Sequence, residues 1–229
     1  LLNTNNKIKE LQNCDDKNDN QYTALYCQNQ RNGRGRNGRE WKSQIGDLTC
    51  SFLIKKKIKI SEIGKINLII VNILLKIFKD LGYEQVRFKW PNDILIYGKK
   101  VSGILIETSC FNEYIKELVI GIGVNIKPKS IKSNYSSISL NELGSKVDSL
   151  GFFFLILSNL QYYFENFSKI EFGLLSKRLS QYFFNRDSVI EVLVDKKKKT
   201  GIFDKINASG ELFLKNDKHY LKISYGEII

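Results

Sequence analysis

The stretch from Gly33 to Trp41, GRGRNGREW, alternates residue types that are suited to binding anions. Its three arginines carry fixed charges on planar forks that match phosphate and carboxylate oxygens. Its three glycines let backbone N–H groups approach an anion closely, and Trp41 adds a flat ring face. The run predicts a loop rather than a stable helix or strand. Its chemistry would be the binding of a phosphate or carboxylate beside a ring.

Three interpretations of this loop stay open from its composition alone. It could fold over a polyanionic ligand, contact nucleic acid in the manner of an arginine-rich tail, or be a solvated flexible loop. The loop lies between two predicted apolar strands, Tyr22–Gln28 and Leu48–Ile54, rather than at a chain end. That position disfavours the nucleic-acid tail and leaves the other two interpretations.

Two further stretches combine strands with bare backbone positions. Lys89–Glu107 reads KWPNDILIYGKKVSGILIE and carries Gly103 inside a predicted strand, while GIGVN adds Gly121 and Gly123 in another. A glycine within a strand marks a bulge or a place where another group approaches the backbone. One such glycine fits ordinary tight packing, whereas three in neighbouring strands favour a ligand groove.

The rest of the composition excludes several kinds of site. His219 is the only histidine, which removes Ser-His and Cys-His triads and multi-histidine metal centres. The four cysteines form no C-x-x-C pair, so we expect reduced thiols and a cytoplasmic location. No P-loop or G-x-G-x-x-G motif follows a predicted strand. Chemistry would therefore rely on Lys, Arg, Asp, Glu and backbone groups.

Charge and apolar content limit the partners less sharply. The formal net charge of +12 and pI of about 9.4 fit either a phosphate-rich partner or a general Lys/Asn/Ile-rich composition. The most apolar stretches, Ile66–Phe78 and Gly151–Tyr163, are interrupted by polar residues. Both are shorter than the ~20 apolar residues that a membrane span needs, so we expect no membrane partner.

The elements that position these motifs follow from hydrophobic periodicity. A helix is predicted from an N-cap at Ser61 to a C-terminal glycine at Gly82, with apolar residues at three- and four-residue steps. A hairpin is predicted around Gly98-Lys99. The remaining predicted segments are a short helix within Leu1–Asn20, strands Val86–Trp90, Ile94–Tyr97, Val101–Glu107 and Glu117–Asn125, and helices Gly151–Phe167 and Phe172–Phe184.

Strands and helices in mixed order predict an α+β fold, with a mixed or antiparallel sheet backed by helices. From Ser188 onward, short strands alternate with Lys/Asn/Gly turns, which is typical of a small all-β module. Its predicted strands are Ser188–Val194, Thr200–Asp204, Glu211–Leu214 and Tyr220–Ser224. We therefore place a boundary near Arg186, giving domains of residues 1–186 and 187–229.

In their order and separation, GRGRNGREW, KWPNDILIYGKKVSGILIE and GIGVN resemble the biotin–protein ligases, also called biotin–[acetyl-CoA-carboxylase] ligases. The resemblance covers roughly Asn3–Asn125, and the segment ending in Tyr225-Gly226-Glu227-Ile228 resembles the family's small SH3-like β-barrel. It implies a class II synthetase-like biotin/lipoate ligase catalytic domain. Lipoate–protein ligases share that catalytic fold but not this combination of motifs.

The resemblance implies that ATP, with Mg²⁺, activates biotin to biotinyl-5′-AMP, which then passes its biotinyl group to one lysine of a biotin carboxyl carrier protein domain. The biotin carboxylate is itself the nucleophile in the first step, so no histidine base is needed. Because two anions must meet, catalysis depends on positioning and electrostatic stabilisation. Arginine, lysine and bare backbone N–H groups are suited to that task.

On the biotin side, the family's roles imply that Thr4 and Gln30 hydrogen-bond the ureido ring, although Asn3 stands where the family commonly has serine. Gly33 and Arg34 would lie against the biotin carboxylate. The floor beneath biotin and the adenylate would be Gly103, Gly121 and Gly123, with Lys100 bridging the biotin carboxylate and the α-phosphate.

On the nucleotide side, Arg36 and Arg39 would hold phosphates, Trp41 would line the adenine, and Asn125 would face the phosphates. Lys89 is either a phosphate contact or a solvated strand end. The family's adenylate-covering loop corresponds to Ile126–Ser139, where Tyr135 is the only aromatic residue.

The residues expected to act in catalysis are Lys100, Arg36 and Asp93. Asp93 either orients the incoming carrier lysine or only caps the turn after Pro91. No metal site built from protein side chains is predicted.

Because the motifs begin almost at residue 1, we expect a monofunctional ligase without a DNA-binding domain, as a monomer or homodimer. The alternatives are a lipoate or octanoate ligase, a non-catalytic nucleic-acid-binding protein, and a degenerate ligase that only binds biotin. They differ in the ligand that is bound or in whether it turns over, so binding and turnover assays separate them.

Overall fold

The computed structural model describes residues 1–14, 22–128, 136–216 and 219–229. Tyr135 lies outside these ranges. The helices are α1 Thr4–Cys14, α2 Ile63–Asp80, α3 Ser149–Glu165 and α4 Phe172–Ser180. The strands are β1 Tyr22–Cys27, β2 Gly33–Arg34, β3 Glu40–Trp41, β4 Leu48–Ile54, β5 Ile58–Lys59, β6 Val86–Lys89, β7 Asp93–Ile96, β8 Lys99–Phe111, β9 Tyr114–Val124, β10 Val189–Val194, β11 Lys197–Ile206, β12 Leu212–Lys215, β13 Tyr220–Ile223 and β14 Glu227–Ile228.

The described chain forms two compact units. The first consists of Leu1–Ile60 and Lys99–Ser158, and the second of Ser61–Gly98 and Asn159–Ile229. The predicted domain boundary at Arg186 falls inside the second unit and stays a prediction.

In the first unit, an antiparallel sheet runs in the order β1-β4-β9-β8, with the short β5 pairing one end of β9. Alternate side chains of a strand point to the same face of the sheet, and on one face of this sheet they are apolar. Phe52 and Ile122 are buried there, and Phe153 of α3 stacks on Phe52 with ring centroids 5.7 Å apart. This face is the core of the unit.

The opposite face of that sheet carries small residues in its middle and a helix at its side. Ile8 of α1 packs against Leu53 of β4 and Val119 of β9, and all three are buried. Beyond this cluster the face continues through Gly121 and Gly123, which have no side chains. The helix therefore covers one part of the face, and the glycines shape the part beside it.

The second unit is built around α2, whose apolar residues are buried on nearly all sides. Asn72 is 5% exposed in the middle of this helix, and its amide is satisfied by other helices. Its Nδ2 donates to Tyr163 Oη (2.7 Å), and its Oδ1 accepts from Arg178 Nη2 (2.5 Å). A buried polar side chain is tolerated when its hydrogen bonds are made in this way.

The same unit contains the antiparallel pair β6–β7 and a five-stranded antiparallel sheet in the order β13-β12-β11-β10-β14. Buried Val192 and Leu214 alternate with half-buried or exposed residues along their strands. The predicted C-terminal β module is confirmed, as is the α+β class. The last strand, β14, pairs with β10 and was not predicted.

Two helix boundaries differ from the sequence predictions, and a third is confirmed. Ser61 is not the N-cap of α2, because it lies inside a 3₁₀ turn, Ile60–Glu62, that precedes the helix. The predicted helix to Phe184 ends at Ser180, because the following residues run alongside β6 and exchange backbone hydrogen bonds with Phe88. The predicted C-terminal glycine of α2, Gly82, is confirmed with φ +89°.

The hairpin turn predicted at Gly98-Lys99 is shifted by one residue. Tyr97 (φ +51°) and Gly98 (φ +73°) are both left-handed, as a type I′ turn requires. A tyrosine at a left-handed position is uncommon, and for that reason the turn was predicted at Gly98-Lys99 rather than at Tyr97-Gly98. Among the described residues, no helix is long and apolar enough to cross a bilayer.

Candidate active site

Three predicted glycines lie together on neighbouring strands of the first unit. Gly103 of β8 is directly opposite Gly123 of β9, and Gly121 is opposite Leu105. Because Gly121 and Gly123 are two residues apart on one strand, they face the same side of the sheet. The predicted neighbourhood of these glycines is confirmed.

The indole of Trp41 lies on this glycine surface. A Cβ atom added at Gly123 would lie 2.6 Å from the indole Nε1, and one at Gly103 would lie 3.0 Å from Cζ3. Trp41 is only 9% exposed. The two glycines therefore accommodate a large protein side chain in this structure, and any larger residue at Gly123 would displace it.

Asn5 occupies the neighbouring position over Gly121, where an added Cβ would lie 2.6 Å from its Oδ1. The Asn5 amide is held on both sides. Its Oδ1 accepts from the buried Ser51 Oγ (2.5 Å), and its Nδ2 donates to Glu107 Oε2 (3.0 Å). This polar network fixes the start of α1 against the sheet.

Thr4 and Gln30 contact each other at the edge of this surface. Both the backbone N–H and the hydroxyl of Thr4 donate to Gln30 Oε1, at 2.8 and 3.0 Å. Both residues are buried, and an added Cβ at Gly33 would lie 2.6 Å from Gln30 Nε2. The sequence prediction had paired Thr4 and Gln30 in one role, and the structure brings them into direct contact.

The arginine-rich loop is a small hairpin rather than wholly irregular chain. β2 pairs with β3, so that Gly33 is opposite Trp41, and a 3₁₀ turn, Arg36–Gly38, closes the hairpin. Asn37 (φ +56°) lies in the left-handed region, which asparagine tolerates better than most residues. The prediction that this stretch forms no strand or helix is therefore wrong for its ends and its tip.

The three arginines of the hairpin have different surroundings. Arg34 Nη2 donates to Asn6 Oδ1 (2.7 Å) and to Glu107 Oε1 (3.0 Å), so its side chain is engaged by α1 and β8. Arg36 is half-buried at the tip, whereas Arg39 is exposed.

Lys100 lies over Trp41, with its ammonium 5.5 Å from the ring centroid, a distance suited to a cation–π contact. Its side chain also covers Gly103, where an added Cβ would lie 3.3 Å from Nζ. Its backbone is fixed, because its N–H donates to Ser136 O and its carbonyl accepts from Ile138 N–H, both at 3.0 Å. The lysine charge is thus held at the glycine surface.

Asn125 follows directly after β9 and is 1% exposed. Its Nδ2 donates to Lys100 O (3.1 Å) and Ile138 O (3.3 Å). Its Oδ1 accepts no hydrogen bond from any residue that the structure describes. A buried amide oxygen in that state favours a donor from a ligand or water.

The other two predicted residues, Lys89 and Asp93, lie in the second unit. They are opposite each other in the β6–β7 pair and flank the turn that contains Trp90 and Pro91. Two hydrogen bonds hold this turn: Trp90 Nε1 donates to Gly210 O (3.0 Å), and Asn67 Nδ2 donates to Pro91 O (2.6 Å).

Sequence reasoning missed the network of Ser51 and Glu107 and the buried carboxylate of Asp47. Glu107 ends the second motif, so its position at the end of a glycine-containing strand was the one available signal. Ser51 and Asp47 have no local pattern that points to the site. Their contacts come from residues 46 and about 80 positions away in the chain.

The sequence profile of the Biotin/lipoate A/B protein ligase family matches residues 4–125. That range includes every predicted site residue and more than half of the chain. The chain belongs to this family. The Lys100–Trp41–glycine arrangement thus lies within the segment that defines the family.

Individual relatives of the family agree with this assignment. The bifunctional ligase/repressor BirA of Escherichia coli is 28% identical over 200 residues, which are 85% of this chain and 62% of BirA. The chain thus spans less than two thirds of that curated relative. The biotin–[acetyl-CoA-carboxylase] ligase of Paracoccus denitrificans is 31% identical over 99 residues, which are 41% of this chain and 40% of that protein.

Among solved structures, the biotin protein ligase of Aquifex aeolicus in complex with biotin and ATP superposes with a TM-score of 0.80. It is 25% identical in sequence, and the match covers 100% of this chain and 96% of that one. The fold of this ligase family member therefore matches a biotin- and ATP-bound relative over its full length.

Proposed function

We propose that this protein activates biotin with ATP to biotinyl-5′-AMP and transfers the biotinyl group to a lysine of a biotin carboxyl carrier domain. The observation that carries the proposal is the ammonium of Lys100 over Trp41 and Gly103, next to Gly123 on the neighbouring strand. Membership of the biotin/lipoate ligase family and the likeness to a biotin- and ATP-bound ligase support it.

In the first step, a biotin carboxylate oxygen attacks the α-phosphorus of ATP, and pyrophosphate leaves. Negative charge accumulates where the two anions meet, so a positioned cation stabilises the transition state more than the separated substrates. Lys100 is assigned this role, with Arg36 and Arg39 on the phosphates. No proton has to be removed in this step, which agrees with a chain that has one histidine.

In the second step, the carrier lysine amine attacks the biotinyl carbonyl, AMP leaves, and the attacking nitrogen loses a proton. Asp93 is the residue that we assign to orient that amine, and Lys89, opposite Asp93, is assigned to the phosphates. Both assignments rest on the motif resemblance. The choice of a biotin carboxyl carrier domain as acceptor and a cytoplasmic location also stay predictions.

Biotin entry would require Trp41 to move. The indole and a ligand cannot share the surface of Gly103 and Gly123, because the ring fills the space above both glycines: a Cβ atom added at either one would lie 3.0 Å or less from it. We infer that the ligand displaces the indole toward the adenine side, where Trp41 is assigned. Trp41 would then report ligand binding by a change in its fluorescence.

The Thr4–Gln30 pair would open in the same event. Without a ligand, these groups satisfy each other, with Gln30 Oε1 accepting twice from Thr4. A ureido ring offers one carbonyl acceptor and two N–H donors, so it can take over these bonds. Lipoate has no ureido group, and a buried polar pair left unmatched by a ligand costs affinity. This favours biotin over the lipoate or octanoate alternative.

The experiment is a transfer assay with two carriers. The protein is incubated with ATP, Mg²⁺ and either biotin plus a biotin carboxyl carrier domain or lipoate plus a lipoyl domain. Label should reach the biotin carrier, and only when biotin is present. Transfer of lipoate or octanoate to the lipoyl domain, with none of biotin, would replace the proposal by the acyl-ligase alternative. Tight, salt-sensitive nucleic-acid binding without either transfer would support the non-catalytic alternative.

A further inference from the structure

Asp47 is a buried carboxylate that the proposed chemistry does not use. It lies just before β4 and is 2% exposed. Burial of a carboxylate is costly unless hydrogen bonds replace its lost water. Asp47 receives three of them from the backbone: Oδ1 accepts from Ile126 N–H (2.8 Å) and Lys127 N–H (3.0 Å), and Oδ2 accepts from Gln44 N–H (3.1 Å).

These bonds join two segments that lie far apart in the chain. Gln44 follows the arginine-rich hairpin, three residues after Trp41, whereas Ile126 and Lys127 follow Asn125 directly. The join is reinforced by Gln44 Nε2, which donates to Pro128 O at 2.6 Å. The Gln44–Asp47 turn is closed by Asp47 N–H donating to Gln44 O at 3.0 Å.

The fit between the two segments is close. Gly46 has φ +95°, and an added Cβ there would lie 2.7 Å from Cε of Lys127. Asn125, which directly precedes Ile126, in turn donates a hydrogen bond from Nδ2 to the carbonyl of Lys100. A continuous set of contacts thus runs from the hairpin through Asp47 and Asn125 to Lys100.

We propose that Asp47 is a positioning residue, holding the exit of the arginine-rich hairpin against the segment after Asn125. It thereby fixes the spacing between Trp41 and Asn125, two of the residues assigned to the nucleotide. This role rests on the proposed function. It predicts that Asp47 affects the nucleotide side of the site and not the biotin side at Thr4 and Gln30.

Glu142 provides a matched control. Its carboxylate also accepts hydrogen bonds in the chain after β9, from the N–H (2.8 Å) and Oγ (2.6 Å) of the buried Ser139. Those bonds stay within residues 139–142 and do not reach the hairpin. Asp47→Asn and Glu142→Gln therefore both remove a capping carboxylate, but only the first separates the two segments.

The activity test compares KM for ATP and KM for biotin in the adenylation reaction. We expect Asp47→Asn to raise KM for ATP about tenfold, because donors that bonded to a charged acceptor lose it. Its KM for biotin should stay within about twofold of the parent value, as should both constants in Glu142→Gln. Equal changes in both constants for Asp47→Asn, or no change in either, would overturn the positioning role.

Hydrogen exchange tests the same role without any turnover. Amide exchange at Gln44, Ile126 and Lys127 should quicken together in Asp47→Asn and stay at the parent rate in Glu142→Gln. If Asp47→Asn does not fold, Gln44→Ala removes the side-chain bond to Pro128 O, keeps the Asp47 carboxylate, and should quicken exchange at Ile126 and Lys127. Unchanged exchange there would also overturn the role. If the parent protein forms no adenylate but the two variants still differ in exchange as expected, the proposed function is contradicted and the positioning role is not.

Discussion

The glycine-bearing sheet of the first unit and the C-terminal sheet of the second are both antiparallel, yet their polar residues are arranged differently. Around β8 and β9, polar groups are held by several partners: Asn5 of α1 and Asn125 after β9 are buried, and Lys100 of β8 is half-buried. On β11, Lys197 and Lys198 are exposed, and Lys198 forms an ion pair with Glu191 at the surface. Positive charge is present on both sheets. In the first sheet, the charge of Lys100 lies beside strand positions that are glycines, and neighbouring groups hold the lysine in place.

This difference teaches that the high net charge does not locate the site. Exposed lysines are screened and contribute little, whereas a charge held by surrounding groups near a low-dielectric surface acts strongly. Substitutions at matched positions in the two sheets can break or sharpen that contrast.

The largest effect is expected for Lys100→Ala. Loss of one oriented group at a reacting centre lowers the rate about 10²–10³-fold, so adenylation should fall by that factor. The controls are the adjacent exposed Lys99→Ala and the C-terminal Lys197→Gln, which should each retain the parent rate. A similar loss in Lys197→Gln would erase the contrast between the sheets, and a fully active Lys100→Ala would refute the role of Lys100. If the protein only binds biotin, the parent itself forms no adenylate and Lys100→Ala has no rate to lose.

Arg36→Gly comes next. The half-buried arginine at the hairpin tip is assigned to the phosphates, and loss of a charge-assisted hydrogen bond should speed release of biotinyl-5′-AMP about tenfold or more. Released adenylate would biotinylate nearby proteins without selection. The measurement is the dissociation rate of the adenylate in a chase with unlabelled ligand. A variant that retains the adenylate as long as the parent would refute this role of the hairpin.

Gly123→Ala tests the glycine surface itself. The new methyl group would lie within 3 Å of the Trp41 indole, and overpacking of this kind costs about 1–3 kcal/mol. We expect a lower free energy of unfolding and shifted Trp41 fluorescence, measured in a Trp90→Phe background. Gly173→Ala in α4 is the control, because an added Cβ there meets nothing within 4 Å. Equal stabilities for the two alanine variants would show that the close contact at Gly123 is unimportant.

The smallest effect concerns Glu211 in the C-terminal module. Hydrogen bonds from Ser224 Oγ and Asn207 Nδ2, with the nearby charge of Lys222, lower the pKa of this carboxyl group. A lowered pKa in the folded state stabilises the protein above the unfolded-state pKa, and the gain disappears as pH falls through the folded-state pKa. Glu211→Gln should therefore cost less than about 1 kcal/mol at neutral pH and nothing in strong acid. A loss of stability that persists in acid would mean that the effect comes from packing. Adenylation should not change in Glu211→Gln.

The sequence predicted the parts of the site that depend on local pattern. The glycines within predicted strands, Gly103, Gly121 and Gly123, were predicted to lie on neighbouring strands, and they do so on the paired strands β8 and β9. What lies on those glycines could not be predicted, because Trp41 and Asn5 reach them through tertiary packing. The cation–π contact of Lys100 with Trp41 is non-local in the same way.

Boundaries failed where a residue departed from its usual preference. Tyr97 adopts a left-handed turn position that the pattern had given to the glycine and lysine after it. Ser61 has a good capping side chain but lies in a 3₁₀ turn. Asp47 shows the same limit at the site, because its partners Ile126 and Lys127 are about 80 residues away and no periodicity links them.

The most direct test of the adenylation proposal is exchange of labelled pyrophosphate into ATP. The proposal predicts exchange that requires biotin and Mg²⁺, is strongly reduced in Lys100→Ala and is retained in Lys99→Ala. Absence of biotin-dependent exchange in the folded parent protein, or exchange that depends on lipoate or octanoate instead, would contradict it.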